Sequence, residues 1–262
     1  MTNTLSINID PNPIVEEAYC FIGCLNRAMK NCKLLRFTPD FIHIMFGPYI
    51  RNKLSRYNGD IKKAVNLWCS DPAAAKEKYG HISKWDTSHV INMNHLFQNA
   101  RSFNQPIGDW DTHNVTNMNS MFDGAYAFNQ TIGKWDVSKV TNMVYMFEGA
   151  YAFNQTIGKW DVSNVTNMGF MFCDAYAFNQ PLNEWDVSNV NDMGSMFNDA
   201  TSFNQPIGSW NVSKVTGMEY MFNDATSFNQ PIGSWNVSNV TDMYPMFIDC
   251  PIEYENKPSF IQ

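Results

Sequence analysis

The sequence predicts an α/β repeat solenoid, in which about seven coils of 25 residues stack in one right-handed pile behind a small N-terminal helical domain. The first observation behind this prediction is a series of tryptophans at a constant interval of 25 residues: Trp85, Trp110, Trp135, Trp160, Trp185, Trp210 and Trp235. The second is that almost every residue around each tryptophan recurs with it. Because a period of about 20 to 50 residues marks one supersecondary unit stacked on copies of itself, this spacing predicts the fold class and the core together.

Residues 103–125, FNQPIGDWDTHNVTNMNSMFDGA, represent one coil. The pattern Ile-x-x-Trp-x-Val-x-x-Val, intact from Ile132 to Val140, has the spacing of the leucine-rich repeat signature and predicts a short strand around each Trp-Asp-Val. The Val-Thr-Asn-Met-x-x-Met-Phe segment that follows has apolar residues at every third or fourth position. That spacing predicts a short helix or 3₁₀ turn facing the core, so the tryptophans, methionines and phenylalanines of successive coils form the predicted interior.

A glycine recurs in the turn that closes each coil, at Gly108, Gly133, Gly158, Gly208 and Gly233. The equivalent residue of the fifth coil is Asn183, and asparagine is the residue that best tolerates a left-handed conformation after glycine. The column therefore predicts a backbone position with positive φ.

The Phe-Asn-Gln motif occurs in six coils and admits two interpretations. It could line a binding site with amide groups, or its asparagines could form a ladder that satisfies main-chain groups left unpaired by a turn. We favour the ladder, because an identical residue in every coil is what a ladder needs. Its members are Asn104, Asn129, Asn154, Asn179, Asn204 and Asn229.

The exposed side chains of the predicted strands form a candidate partner-binding surface, which we call the Asp face. Its residues are Asp86, Asp111, Asp136, Asp161, Asp186, Asn211 and Asn236, with Lys134 and Lys159 beside them. The carboxylates could bind Ca²⁺ or a basic partner, or they could accept local turn hydrogen bonds from nearby Ser and Thr. We favour the local bonds, since carboxylates about 5 Å apart would repel one another without neutralisation. We therefore predict no metal site.

Helical segments precede the coils. The stretch DIKKAVNLWCSDPAAAKEKY predicts a two-helix cap within residues 59–81, with four apolar residues on one face of the first helix. Asp71 and Pro72 suit the start of the second helix, and Gly80 suits its end. Residues 1–58 predict a helical region, and residues 82–250 are the coils. The tail, residues 251–262, either folds over the last coil or stays loose.

Composition and charge argue against several classes of function. The net charge of −7 is spread without long like-charge runs, which disfavours nucleic acid and membrane insertion. The N-terminus has no secretory signal pattern, so we expect a cytoplasmic protein. The six dispersed cysteines predict free thiols in a reducing compartment. The sequence shows no catalytic motif and no cofactor motif, so we expect a protein that is not an enzyme and needs no cofactor.

Residues 79–248, with YGHISKWDTSHVINMNHLF, WDVSNVTNMGFMF and FNQPIGSWNVS, resemble the 25-residue repeats of the BspA-like leucine-rich repeat family, which also occur in mycoplasma surface lipoproteins. Members of that family are mostly bacterial or protist surface proteins implicated in adhesion to host proteins. Similar arrays occur in giant viruses. The helical front of this chain, without a lipobox cysteine, is more like the viral type, which would place it in the host cytoplasm or the virion.

These observations favour a protein-interaction scaffold that binds a protein partner through its strand face. A second hypothesis is a structural component of a giant virus particle, with self-association or capsid proteins as its contacts. A third is a substrate adaptor, because residues 38–50, TPDFIHIMFGPYI, faintly resemble the opening helix of an F-box.

Overall fold

A computed structural model describes residues 53–242 and 245–259 of the chain. The chain divides between Leu54 and Ser55 into two units, and the described residues belong almost entirely to the second. The F-box-like stretch, and nearly all of the helical region predicted for residues 1–58, lie outside the described residues.

The second unit begins with a short strand and two helices. In chain order its elements are β1 (Ser55–Tyr57), α1 (Ile61–Ser70), α2 (Pro72–Tyr79), a 3₁₀ turn (Ile82–Lys84), β2 (Asp86–His89) and a last 3₁₀ turn (Tyr254–Asn256). Strands β1 and β2 pair in parallel, with Ser55 opposite Asp86.

The two helices lie where the sequence predicts them. Helix α1 buries one face, formed by Ile61, Ala64, Val65 and Trp68. The Asp71 side chain accepts a hydrogen bond from the Ala74 amide at the start of α2, and Gly80, with φ of 74°, follows its end. The amphipathic pattern and the capping residues therefore specify this part of the fold locally.

Trp68 and Arg56 cover the first coil. The Trp68 ring packs edge-on against Trp85 with a centroid separation of 6.2 Å. Arg56 is only 2% exposed, and its guanidinium lies 5.4 Å from the centre of the Trp85 ring. Asp60 pairs with this guanidinium at 2.7 Å, so the buried charge is neutralised.

Main-chain hydrogen bonds join each 25-residue unit to the next. The Met93 amide donates to the Asn117 carbonyl at 2.9 Å, and the Phe97 amide donates to the Met121 carbonyl at 2.8 Å. Equivalent bonds recur along the chain, and isolated parallel bridges run from Asn92–Asn117 to Gly217–Asp242. We call residues 92–102, 117–127, 142–152, 167–177, 192–202 and 217–227 the ladder segments.

The structure differs here from the predicted strands. Strand β2 begins directly after Trp85 in the first unit, but residues 110–112 and their equivalents in the later described units are not strand. The parallel pairing lies in the ladder segments, where the sequence predicts a helix or 3₁₀ turn. The Asp face is therefore a strand face only at β2.

Left-handed residues explain why the ladder segments do not form helices. Each described segment has residues with positive φ, for example Ser120 at 51° and Gly124 at 67°. Such a conformation interrupts an α-helix. The amides of Ser120 and Gly124 donate to the next unit, while the Met121 amide turns back to the Met118 carbonyl at 3.2 Å. The apolar spacing is thus that of successive tight turns.

Aromatic side chains fill the interior as columns. The seven repeated tryptophans are buried, and from Trp110 onward their indole N–H groups donate to carbonyls of the preceding unit, as Trp160 does to Ile132 at 3.3 Å. Phe122 and Phe147 stack with ring centroids 5.6 Å apart, and the same pairing continues along the column. Each unit therefore buries its core against a copy of itself.

The glycines of the closing turn have a different role from the predicted one. The positive-φ glycines among the described residues are Gly80, Gly124 and Gly149, which lie elsewhere. A Cβ added at Gly158 would lie 2.5 Å from the carbonyl oxygen of Pro181 in the next unit. At Gly158 the neighbouring backbone therefore comes too close for a side chain, whereas the fifth unit carries Asn183 at the equivalent position.

The C-terminal segment packs on the last unit as far as residue 258. Ile252 is buried, and the Ile232 amide donates to the Asn256 carbonyl at 2.9 Å. The Glu253 amide donates to Oδ1 of Asn229 at 3.0 Å. Of the two alternatives that the sequence leaves open, these residues follow the first and fold over the last unit.

Candidate functional site

The Asp face is exposed, and its acidic groups are hydrogen-bonded locally. Its residues in all seven units are exposed, as are Lys134 and Lys159. Oδ1 of Asp136 accepts bonds from the Ser138 amide at 3.0 Å and from the Ser138 hydroxyl at 2.6 Å. These bonds lower the pKa of Asp136. Asp86 and Asp161 accept the same pair of bonds from the serine two residues on.

The geometry of the Asp face is therefore that of a repeated turn, in which the chain itself supplies the hydrogen-bond donors. Among residues 53–242 and 245–259, no three histidine, cysteine or acidic side chains come together as a metal site would require. Whether this face binds a partner stays a prediction.

The repeated asparagines of the Phe-Asn-Gln motif link each unit to the next. Oδ1 of Asn154 accepts from the Asn179 amide at 3.0 Å and from Nε2 of Gln180 at 2.9 Å. Asn104, Asn129, Asn179 and Asn204 accept the same two bonds from their successors. At the last of them, Asn229, the C-terminal segment supplies the donors. The side-chain oxygens of these asparagines are therefore engaged in hydrogen bonds between units.

Three stacked tyrosines, two exposed and one half-buried, lie in successive ladder segments. The ring centroids of Tyr126 and Tyr151 are 4.4 Å apart, and those of Tyr151 and Tyr176 are 4.8 Å apart. Tyr151 and Tyr176 are 37% and 40% exposed. The guanidinium of Arg101 lies 5.1 Å from the centre of the Tyr126 ring, at the first end of the stack. Thr201 and Thr226 continue the same column, which we call the Tyr column.

The backbone fixes the spacing of this column. The Ala152 amide donates to the Tyr126 carbonyl at 3.1 Å, and the Ala177 amide donates to the Tyr151 carbonyl at 3.2 Å. A stack anchored in this way loses little side-chain entropy when another molecule covers it.

Carboxylates lie beside the Tyr column. The Tyr176 hydroxyl donates to Oδ1 of Asp174 at 3.0 Å, and this bond raises the pKa of Tyr176 to about 12. Burial, together with the charges of Asp123 and Asp174, raises the pKa of Glu148 to about 7. Burial and the charges of Asp174 and Asp224 also raise the pKa of Asp199. These carboxylates are therefore close enough to repel one another.

Charge is divided unequally between the two parts of each unit. The ladder segments contain seven acidic residues: Asp123, Glu148, Asp174, Asp192, Asp199, Glu219 and Asp224. Arg101 is the one lysine or arginine in the same segments. The lysines of the coils, Lys84, Lys134, Lys139, Lys159 and Lys214, lie in the other part of the unit, near the Asp face. We call the exposed and half-buried side chains of the ladder segments the ladder face.

Sequence reasoning did not single out the ladder face, because it assigned the exposed site to the Trp-Asp-Val segment. Two signals were available. Tyr126, Tyr151 and Tyr176 recur at the 25-residue period, and the stretch between the second phenylalanine and the next Phe-Asn-Gln carries an acidic residue in five units and no lysine in any of them.

A comparison with protein-family models supports the repeat organisation. The family described as "Mycoplasma protein of unknown function, DUF285" matches residues 70–180 and again residues 153–258. The chain belongs to this family. Together the two matches cover residues 70–258. This range includes the last residue of α1, all of α2 and all seven tryptophan units. No curated protein matches the chain. No solved structure matches it either. Within the described residues, no helix has the length and apolar character needed to cross a membrane.

Proposed function

We propose that this protein is a non-enzymatic interaction scaffold, a solenoid of leucine-rich-repeat type like the BspA-like arrays, and that it binds a protein partner through its ladder face. The observation that carries the proposal is the stack of Tyr126, Tyr151 and Tyr176, of which the last two are exposed. Tyrosine gives a large contact area with few rotatable bonds and is enriched where binding energy is concentrated in interfaces.

The hydrogen bonding of the two surfaces favours the ladder face over the Asp face. On the Asp face, serine and histidine side chains or amides of the same unit already engage the Asp oxygens. On the ladder face, Tyr151 and Tyr176 expose ring surface that a partner can cover. A repeat array with such a continuous column presents one extended binding surface across several units.

The test is a comparison of partners captured by the wild-type chain and by the triple variant Y126T/Y151T/Y176T. Threonine is the residue that the chain itself carries in this column at Thr201 and Thr226, so the variant should fold. The matched control is K134S/K159S on the opposite part of the unit, where Ser209 and Ser234 hold the equivalent positions.

Quantitative mass spectrometry of affinity-purified material is the readout. We expect at least one protein to be retained by the wild type and by K134S/K159S and to fall about tenfold or more with the tyrosine variant, because each aromatic contact contributes about 0.5–1.5 kcal/mol beyond its buried area. Equal recovery with both variants would contradict the ladder face as the binding surface.

A further inference from the structure

We infer that the edge of the last unit, residues 245–249, binds an extended polypeptide segment of a partner protein, which adds to the stack as one further strand. The main-chain carbonyls of this segment accept hydrogen bonds from the edge, and its side chains are apolar and basic. We call residues 245–249 the terminal edge. It is separate from the Tyr column, so the inference goes beyond the proposed function and does not depend on it.

The terminal edge carries two main-chain donors that pair in every earlier unit. In six successive units the amide at the position of Phe247 donates to the next unit, as the Phe222 amide does to the Met246 carbonyl at 3.0 Å. The amide at the position of Asp249 does the same, as that of Asp224 does at 2.9 Å. Among the described residues, the amides of Phe247 and Asp249 have no partner. Unpaired donors at such an edge are a template for strand addition.

The backbone of the terminal edge already has the conformation that pairing requires. Asp249 has φ of 50°, close to the 55° of Asp224 and the 56° of Asp199, whose amides are paired. A partner segment therefore does not have to reorder this backbone when it binds. Pro245 has no N–H at the position where Ser195 donates to the next unit. The added strand is therefore short.

Apolar side chains at the terminal edge are more exposed than their counterparts in earlier units. Phe247 is partly exposed, whereas the six equivalent phenylalanines are at most 1% exposed. Ile248 is 44% exposed. The earlier units carry no large apolar residue at its position, where they have Gln98, Asp123, Glu148, Cys173, Asn198 and Asn223. The last unit therefore offers an added segment apolar surface to cover.

Charges at the terminal edge define the charge of the partner segment. Asp249 is exposed, and Asp224 holds the equivalent position in the preceding unit. A lysine or arginine of the segment would be attracted to these carboxylates. Lys257 lies with its Nζ 5.4 Å from the centre of the Phe247 ring. The basic residue of the segment therefore belongs opposite Asp249 and not opposite Phe247.

A second copy of the chain fits the terminal edge less well than a partner protein. Two terminal edges cannot pair with each other, because N–H groups would face N–H groups. Phe97, the equivalent phenylalanine of the first unit, is 1% exposed, so the stack is not open at its other end for end-to-end assembly. Nucleic acid would be repelled by Asp224 and Asp249.

The test measures binding of a fluorescein-labelled heptapeptide of alternating lysine and valine to the full chain by fluorescence anisotropy. A heptapeptide of alternating glutamate and valine is the negative probe. The critical variant is I248N, which introduces the residue that the chain carries at Asn198 and Asn223. Its matched control is I91T, because Ile91 is 50% exposed in the first unit and Thr116 holds the equivalent position in the next.

A second pair of variants tests the charge. D249N is compatible with the left-handed backbone, because Asn99 occupies the equivalent place in the first unit with φ of 59°. D111N removes the same charge from the Asp face, where Asn211 holds an equivalent position. Circular dichroism melting curves check that all four variants fold.

We expect I248N to weaken binding of the lysine–valine peptide about fivefold or more, because apolar contact is lost. D249N should weaken it about two- to fivefold, as for an exposed ion pair. I91T and D111N should each change it less than about twofold. In hydrogen–deuterium exchange, the peptide should slow exchange at the amides of Phe247 and Asp249.

Several outcomes would overturn the inference. The lysine–valine peptide may fail to bind or bind no better than the glutamate–valine peptide. I248N and I91T may weaken binding equally, which would indicate attraction to the whole chain. Protection from exchange may fall outside the terminal edge. If any of these occurs while Y126T/Y151T/Y176T still reduces partner capture, the proposed function stands without this second site.

Discussion

At the scale of single residues, two features decide which substitutions are tolerated: the close approach of the backbones of neighbouring units, and the carboxylates that neighbouring units place near one another. Gly158 has no side chain because the Pro181 carbonyl of the next unit occupies the space. Glu148 lies between two other carboxylates and is half-buried. Neither constraint comes from a residue's own unit, since each is imposed by the neighbouring copy.

Gly158→Ala should destabilise the protein by about 1–3 kcal/mol, the usual range for atoms forced into a packed interior. The reason is that the new Cβ would meet a main-chain oxygen at 2.5 Å, so the two units must move apart. Urea unfolding followed by tryptophan fluorescence measures the effect. Gly59→Ala is the control, because nothing lies within 4 Å of a Cβ there, and it should be near neutral.

Glu148→Gln should remove part of the pH dependence of stability. Burial raises the pKa of Glu148 from 4.5 to about 7, with Asp123 and Asp174 adding to the shift. The folded state therefore holds this proton more tightly than the unfolded state, so the wild type loses stability as pH rises from about 4.5 to about 7.

After allowance for solvent screening of a half-exposed group, we expect the variant to be more stable than the wild type by about 1 kcal/mol at pH 8. The difference should shrink towards pH 4. Denaturant titrations of both proteins across this range provide the measurement, and a difference independent of pH would refute the assignment to Glu148.

At the scale of elements, the asparagine ladder and the ladder segments join one unit to the next. Asn154→Ala removes the acceptor of two bonds from the following unit and leaves the Asn179 amide without its partner. We expect a loss of about 1–3 kcal/mol in the free energy of unfolding. Asn154→Asp keeps an acceptor oxygen in place, so chemical denaturation should show a smaller loss. An equal loss in the two variants would mean that the hydrogen bonds are not the cause.

The sequence predicts these elements unequally well, for physical reasons. Helices α1 and α2 are specified by local signals, an apolar face and the Asp71-Pro72 start, which act within one segment. The ladder segments carry apolar residues at helical spacing, but their conformation depends on hydrogen bonds to residues about 25 positions away. Asn99, Gly124 and Asp174 are of types that tolerate positive φ. Their presence in the sequence is the signal that argues against a helix in these segments.

At the scale of the whole array, the period predicts which residues are buried, because every unit must pack against its copies. It does not predict which exposed column is a binding surface. The Asp column repeats more regularly in the sequence than the Tyr column, and what distinguishes the two as surfaces lies in their neighbours. Ser138 engages Asp136, whereas Tyr151 stacks on another exposed ring. The 25-residue period in the sequence does not predict these contacts.

The most direct test of in-register stacking is disulfide trapping within the Tyr column, in a background where the chain's own cysteines are replaced by serine. Ring stacking at 4.8 Å and a bond of 3.2 Å from the Ala177 amide to the Tyr151 carbonyl place Tyr151 and Tyr176 side by side. The pair Y151C/Y176C should therefore form an intramolecular disulfide under mild oxidation, since its Cα atoms would lie within the roughly 4.4–6.8 Å that the bond requires.

The pair Y126C/Y176C is two units apart, about 10 Å at the spacing of adjacent strands, and should not close. Peptide mass spectrometry distinguishes the two results. A disulfide in the first pair and not in the second is the outcome that 25-residue stacking predicts. Closure of both pairs, or of neither, would contradict it.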